Sequence, residues 1–188
     1  MQNLWLIPAL PLAGFLINGL FGKRLPKMVV SLIAVASVLL SFGWVLKTLS
    51  ALGSLETAYV ERYFPWFESG TLSVGFDLAV DRLTAVMLLV VTGIGSLIHI
   101  YATGYMEHEG GYYRFFAYLN LFMFFMLMLV LGGNFLILFV GWEGVGLCSY
   151  LLIGFYILKK SAGDAAKKAF IVNRIGDFGF CLAMFLIV

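Results

Sequence analysis

The stretch GWEGVGLCSYLLIGF, Gly141 to Phe155, embeds one carboxylic acid, Glu143, among apolar and small residues. A later apolar run contains VNRIGD, which sets Arg174 and Asp177 three residues apart with Asn173 beside them. On a helix that spacing brings the two charges within pairing distance. Tyr150, with Gly146 and Leu147, falls on the same helical face as Glu143, about two turns along. Burial favours the protonated form of a carboxyl group and a nearby cation favours the ionised form. A carboxyl group poised between those influences loads and releases a proton as a counter-charge comes and goes, which is the chemistry of an intramembrane relay. The same residues also admit a structural reading, in which Arg174 and Asp177 pair to lock helices and Glu143 stays neutral and hydrogen-bonded.

The elements that position these groups follow from composition. The chain has 188 residues, 62% of them hydrophobic and 12% charged, with a mean hydropathy of +1.01, outside the range of soluble domains. A helix needs about 20 apolar residues to cross the hydrocarbon core. Six runs qualify: Leu4 to Phe21, Met28 to Leu49, Leu83 to Gly104, Phe115 to Leu131, Phe135 to Leu158, and Ala169 to Val188. The fold class is therefore all-α, a polytopic transmembrane helix bundle embedded in a lipid bilayer. Glu143 lies roughly 12 to 15 Å from the Gly132-Gly133-Asn134 turn at about 1.5 Å of rise per residue, near the bilayer midplane. A charge at a helix centre costs roughly 2.5 to 3.5 kcal/mol on insertion scales, so Glu143, Arg174 and Asp177 must face protein or water. Gly141, Gly144 and Gly146 around Glu143 permit close approach of a neighbouring helix. They do not form a phosphate-binding loop, because GxGxxG spacing and a preceding strand are lacking.

Basic residues set the orientation. Lys23, Arg24 and Lys27 follow the first run, Arg114 the third, and Lys159, Lys160, Lys167 and Lys168 the fifth, so these eight of the twelve share one side. The positive-inside rule makes that side cytoplasmic and turns the N-terminus outward. The connection 50–82 on the other side carries Glu56, Glu61, Glu68, Asp77 and Asp81, together with Tyr63, Phe64, Trp66 and Phe67, an aromatic cluster suited to a membrane boundary. Within it TLSVGFDLAV alternates as a short strand pair would. Asp81 is placed to cap the third helix. His99, in SLIHIY, has an ordinary pKa near neutrality; it either hands protons between solvent and bundle or, the preferred reading, hydrogen-bonds at the membrane edge. Glu107, His108 and Glu109 read as a solvated loop, and Cys148 and Cys181 as small packing residues. The chain carries no set of ligands for haem, an iron-sulfur cluster or another metal, and nothing in it points to nucleic acid. The last run ends without a basic flank, so the chain is expected to be part of something longer.

FDLAVDRLTAVMLLVV, IHIYATGYM, GWEGVGLCSYLLIGFY and KAFIVNRIGDFGF, in that order, resemble the N-terminal part of the antiporter-like subunit L family of respiratory complex I, the proton-translocating NADH-quinone oxidoreductase. The resemblance covers nearly the whole chain from about Phe76 and more loosely the first two helices. It implies that residues 1–188 form the N-terminal part of one antiporter-like transmembrane domain, from a family with two inverted five-helix repeats and broken helices. It also implies that Glu143 is the proton-relay carboxylate, which in the family pairs with a lysine on the seventh helix. Arg174 and Asp177 would modulate it electrostatically, and Tyr150 and His99 stand as possible parts of a proton path. The implied partners are other membrane-arm subunits, especially the adjacent antiporter-like subunit. NADH, flavin, iron-sulfur clusters and quinone belong to partner subunits, and the implied location is a bacterial inner (plasma) membrane. Subunits of multi-component sodium/proton antiporters share this architecture and are the principal alternative. A purely structural subunit with a neutral Glu143 is the alternative of another class.

Overall fold

The computed structural model describes residues 2–53, 57–70 and 72–187; Glu56, Thr71 and Val188, discussed above, lie outside the described residues. Among the described residues six helices are long and apolar enough to cross a membrane. They are α1 (Leu6–Phe21, continued by a 3-10 turn over Gly22–Arg24), α2 (Lys27–Leu52), α3 (Arg82–Tyr105), α4 (Tyr112–Leu131), α5 (Phe135–Ile153) and α6 (Lys160–Ile187). Their boundaries follow local chemistry. Asp81 accepts the Thr84 N–H at 2.7 Å and Asn134 accepts the Ile137 N–H at 3.0 Å, each satisfying a first-turn donor of the helix it opens. The capping role expected of Asp81 is thus observed.

Helix α1 packs between α2 and α4, α3 closes the group against α2 and α4, α5 packs on α4, and α6 rests chiefly on α5. The contact between α4 and α5 is close because glycines remove the intervening side chains. A Cβ at Gly141 would stand 2.5 Å from the Leu129 backbone nitrogen, and one at Gly144 would stand 2.0 Å from the Phe125 ring.

Between α2 and α3 the chain forms an antiparallel hairpin, β1 (Tyr59–Ser69) and β2 (Leu72–Val80), with register irregularities between Arg62 and Phe64 and between Pro65 and Phe67. This is longer than the short strand pair expected from TLSVGFDLAV alone, because the aromatic run Tyr63 to Phe67 is itself β1. Leu78 and Val80 enter a core with Leu4, Ile7, Val45, Leu131 and Ile137. Two further bonds clamp β2 to the turn between α4 and α5: Gly133 N–H to the Asp77 carbonyl at 2.9 Å and Asn134 Nδ2 to the Gly75 carbonyl at 2.8 Å.

The hairpin is also anchored through Glu61, whose side chain was legible only as one of several loop acids. It is 5% exposed and accepts the backbone N–H groups of Gln2, of Asn3 at 3.1 Å and of Leu4 at 2.9 Å, plus the hydroxyls of Tyr59 at 2.9 Å and Tyr63 at 2.6 Å. A carboxylate here meets the orphan donors just ahead of α1. At the opposite end a second core joins Val30, Ala102, Met106, Phe116 and Phe155, and Lys27 Nζ donates to the Glu107 carbonyl at 2.6 Å. The eight basic residues gathered by sequence all belong to this end.

Two boundaries differ from expectation by more than three residues. Helix α5 stops at Ile153, not Leu158, and Gly154 N–H bonds back to the Tyr150 carbonyl. Helix α6 starts at Lys160, not Ala169, because KSAGDAAKK is polar yet rich in alanine and lysine, good helix formers. Hydropathy marks only the part of α6 that is apolar.

Candidate functional site

Glu143 is the ninth of the nineteen residues of α5, midway along the span. Small residues set what surrounds it. Gly144 turns one side of α5 onto Phe125 of α4, while Gly146 lets Asn173 of α6 come close, a Cβ there meeting the Asn173 amide nitrogen at 2.6 Å. Helix α6 is thereby drawn along the face of α5 that bears Glu143.

Across that interface Arg174 Nη1 donates to Glu143 Oε1 at 2.6 Å. The alternative reading, in which Arg174 pairs with Asp177 within α6, is not the arrangement found. Asp177 instead accepts the indole N–H of Trp142 on Oδ1 at 2.8 Å and is 4% exposed. The i,i+3 spacing made an intrahelical pair possible; the side chains of α5 offered each member a better partner. Trp142 was not singled out by sequence, although its position beside Glu143 in GWEGVG was the available signal. Its ring stacks on Phe180, 6.5 Å between centroids at 12°, which holds the indole in place. Asp177 and Glu143 are close enough to repel when both are ionised. The arrangement therefore gathers two carboxyls and one guanidinium, with the indole tying one carboxyl and the guanidinium the other.

The Arg174 side chain is 53% exposed and that of Glu143 22%, so the pair lies at an open flank of α5 and α6. Tyr150, two turns from Glu143, packs its ring against Phe170 at 5.5 Å and is on the α6 side, as its helical position predicts. The structure does not bring His99 to this site. Rather than lying at the membrane edge, His99 is 1% exposed inside the group formed by α1 to α4. Its Nε2 is 2.8 Å from Asn120 Oδ1 and its Nδ1 is 2.8 Å from the Gly95 carbonyl; Asn120 Nδ2 in turn donates to Ser37 Oγ at 3.2 Å. Helix α3 ends at Tyr105, one residue past the expected Gly104, so the imidazole is buried by the helices packed around it and not by a longer span. Gly14 of α1 seals the node, since a Cβ there would stand 2.2 Å from the Asn120 amide nitrogen. The node is completed by Asn120 of α4 and Ser37 of α2, neither of them charged. Among the described residues no group of three or more His, Cys, Asp or Glu side chains is arranged to hold a metal ion.

The chain has known relatives. The family described as NADH-ubiquinone oxidoreductase (complex I), chain 5 N-terminus matches residues 66–116, and the one described as NADH:quinone oxidoreductase/Mrp antiporter, TM, matches residues 132–188. The second match contains the whole α5–α6 site. The chain belongs to the subunit L and chain 5 family of NADH-quinone oxidoreductases. It is 48% identical over 97% of its length to NADH-quinone oxidoreductase subunit L of Mycobacterium tuberculosis, and 46% identical over 97% to that of Rickettsia bellii. It is 43% identical over 97% to NADH-ubiquinone oxidoreductase chain 5 of Metridium senile. The chain spans 28 to 30% of the length of these family members. Among solved structures, the Mrp complex from Dietzia sp. matches 96% of the chain and 19% of its own at a TM-score of 0.76 and 25% identity. The membrane-bound sulfane sulfur reductase, an archaeal respiratory membrane complex, matches 97% of the chain and 27% of its own at the same TM-score of 0.76 and 19% identity, a likeness of fold. These likenesses support a membrane helix bundle of the antiporter-like kind for the described residues.

Proposed function

We propose that the chain is part of a proton-translocating membrane-arm subunit of NADH-quinone oxidoreductase, with Glu143 as the group that carries the proton. The observation behind this reading is the 2.6 Å contact between Glu143 and Arg174 midway along a membrane span. Family membership supports it: the relatives covering almost the whole chain are named for that oxidoreductase. While the pair is closed, the guanidinium favours the ionised form of Glu143. When Arg174 moves away, an unpartnered carboxylate in a medium of low dielectric constant takes up a proton, and return of a cation expels it. Arg174 is the electrostatic control of that cycle, and Asp177, held by Trp142, adds a second negative field that favours protonation of Glu143. Tyr150 stands on the same interface toward the basic end and extends the path from Glu143. His99, set apart from the site, joins that path only through groups other than Glu143.

Oxidation of NADH and reduction of quinone belong in this reading to other subunits, which hold the flavin, iron-sulfur clusters and quinone, and the proton step is driven at a distance. The adjacent antiporter-like subunit is the expected neighbour, in a bacterial plasma membrane. A multi-component sodium/proton antiporter is the second reading, favoured by the likeness to the Mrp complex; sodium-dependent transport without NADH would select it.

The test is proton pumping and NADH:quinone turnover in membrane vesicles containing the complete complex with Glu143→Gln. Both are expected to fall at least about tenfold with assembly intact, the usual scale for loss of a proton-transfer group. Normal pumping would leave Glu143 a packing residue and reject the relay.

A further inference from the structure

At the basic end of the bundle a cleft of about 270 Å³ opens between α4, α5 and α6. Its origin is local. Gly154 at the end of α5 sits against Ala166 of α6, a Cβ there lying 3.3 Å from the alanine's, so the two helices close together at that point. Helix α6 rests on α5 rather than on α4, and a gap remains between α4 and α6. Into it project Arg114 and Tyr118 from α4, Tyr150 from α5 and Lys167 from α6, over the Phe155 ring.

Neither Arg114 nor Lys167 belongs to either ion pair found among the described residues. The Arg114 guanidinium is held over the Phe155 ring at 5.3 Å, which orients it without neutralising it. Lys168, Lys160 and Lys159 add positive charge at this end, opposed by Asp164 in the first turns of α6 and by Glu109 in the loop before α4. The cleft therefore presents two cations and two phenols on an otherwise apolar wall. Its depth fixes the medium: Arg114 stands in the first turn of α4, and Lys167 stands two residues before the apolar part of α6 that begins at Ala169. Both lie at headgroup level. Leu151 continues the wall toward the hydrocarbon, and Ile153 and Ile157 beside it are exposed.

We propose that this cleft binds the headgroup of an anionic phospholipid, its phosphate between Arg114 and Lys167 and its acyl chains along α5 toward Leu151. Basic pockets between membrane helices on the cytoplasmic side recognise such headgroups, and phosphate suits both a guanidinium and a lysine point charge. The volume admits a phosphoglycerol headgroup, whereas the apolar wall has no use for a soluble phosphate. The site shares Tyr150 with the proposed proton path but includes neither Glu143 nor Arg174.

The test is cross-linking of the complete complex, reconstituted in phosphatidylcholine nanodiscs, with a photoreactive phosphatidylglycerol, followed by mapping of the labelled peptides. Label is expected on the segments around Tyr118 and around Tyr150 to Lys167. Unlabelled phosphatidylglycerol should displace it, and neither inorganic phosphate nor extra phosphatidylcholine should. Arg114→Gln and Lys167→Gln are each expected to lower labelling roughly fivefold, the weight of one basic residue near an anionic membrane surface. Arg114→Lys should retain most of it. Lys167 is exposed, so Lys167→Gln assembles even if a variant of Arg114 does not. Equal labelling by a zwitterionic probe, displacement by inorganic phosphate, or unchanged labelling in Lys167→Gln overturns the proposal.

Discussion

Arg174 of α6 and Glu143 of α5 form an ion pair across two membrane spans, with Nη1 2.6 Å from Oε1, and leave Asp177 to the indole of Trp142. Arg174→Gln removes the charge while keeping much of the side chain's length. The Glu143 carboxyl then lacks its cation and is expected to stay protonated, so that pumping in vesicles of the complete complex falls roughly tenfold. That is the scale of about 1 to 2 kcal/mol, below the 3 to 5 kcal/mol of a fully buried pair because this one is partly exposed. Arg174→Lys should recover part of the rate. Equal pumping by Arg174→Gln and wild type would show that the pair is not used.

Trp142→Phe tests whether the indole keeps Asp177 from competing with Glu143 for Arg174. Without its N–H, Asp177 is a buried carboxylate that has lost its donor, a loss of about 1 to 3 kcal/mol. Arg174, three residues back on the same helix, is the nearest replacement. The substitution is therefore expected to draw Arg174 from Glu143 and depress pumping severalfold, although neither member of the pair has changed. Adding Asp177→Asn removes the competitor and should restore much of the rate. A double-mutant cycle on pumping measures this, and additive effects would refute the coupling.

The six spans were legible because length and hydropathy alone decide what can cross a bilayer, and Glu143 stood out because a carboxyl in such a span is costly. What sequence could not rank was partners. Arg174 and Asp177 satisfy the i,i+3 rule, but the distances that settle the matter run between α5 and α6, and these depend on where Gly144 and Gly146 let the helices meet. His99 shows the same limit. Its burial arises from Asn120, Ser37 and Gly14 on three other helices, residues without any distinguishing signal in a window around SLIHIY. Glu61 was one acid among several in a loop until β1 set it beneath the start of α1.

The glycine contact between α4 and α5 carries its own prediction. A Cβ at Gly144 would fall 2.0 Å from the Phe125 ring, so Gly144→Ala must push the helices apart or turn that ring. Overpacking of this kind costs about 1 to 3 kcal/mol. The detergent-solubilised complex with Gly144→Ala is expected to unfold at a lower temperature, and Phe125→Leu should relieve part of the loss in the double variant. Unchanged thermal stability of Gly144→Ala would mean that α5 is not seated on α4 as described.

Glu61 makes the docking of the hairpin pH-dependent. Burial alone pushes its pKa up, but bonds from Tyr63, the Leu4 N–H and Tyr59 outweigh burial and hold the carboxyl below the usual range. Conversely, burial and the Glu61 carboxylate push the Tyr63 hydroxyl up, keeping it a donor. A pKa lower in the folded than in the unfolded state contributes stability that is present above the ordinary glutamate value of about 4.3. That contribution is lost as pH falls through the folded value. Protection of the Asn3 and Leu4 amides, measured against their intrinsic exchange rates at each pH, should therefore be high at neutral pH and fall on acidification below the ordinary glutamate range. Glu61→Gln turns an amide donor toward a set of donors and should quicken exchange at neutral pH, by an amount on the order of 2 kcal/mol. Slow exchange in that variant at neutral pH would show that the hairpin is held by its apolar contacts alone, through Leu78 and Val80.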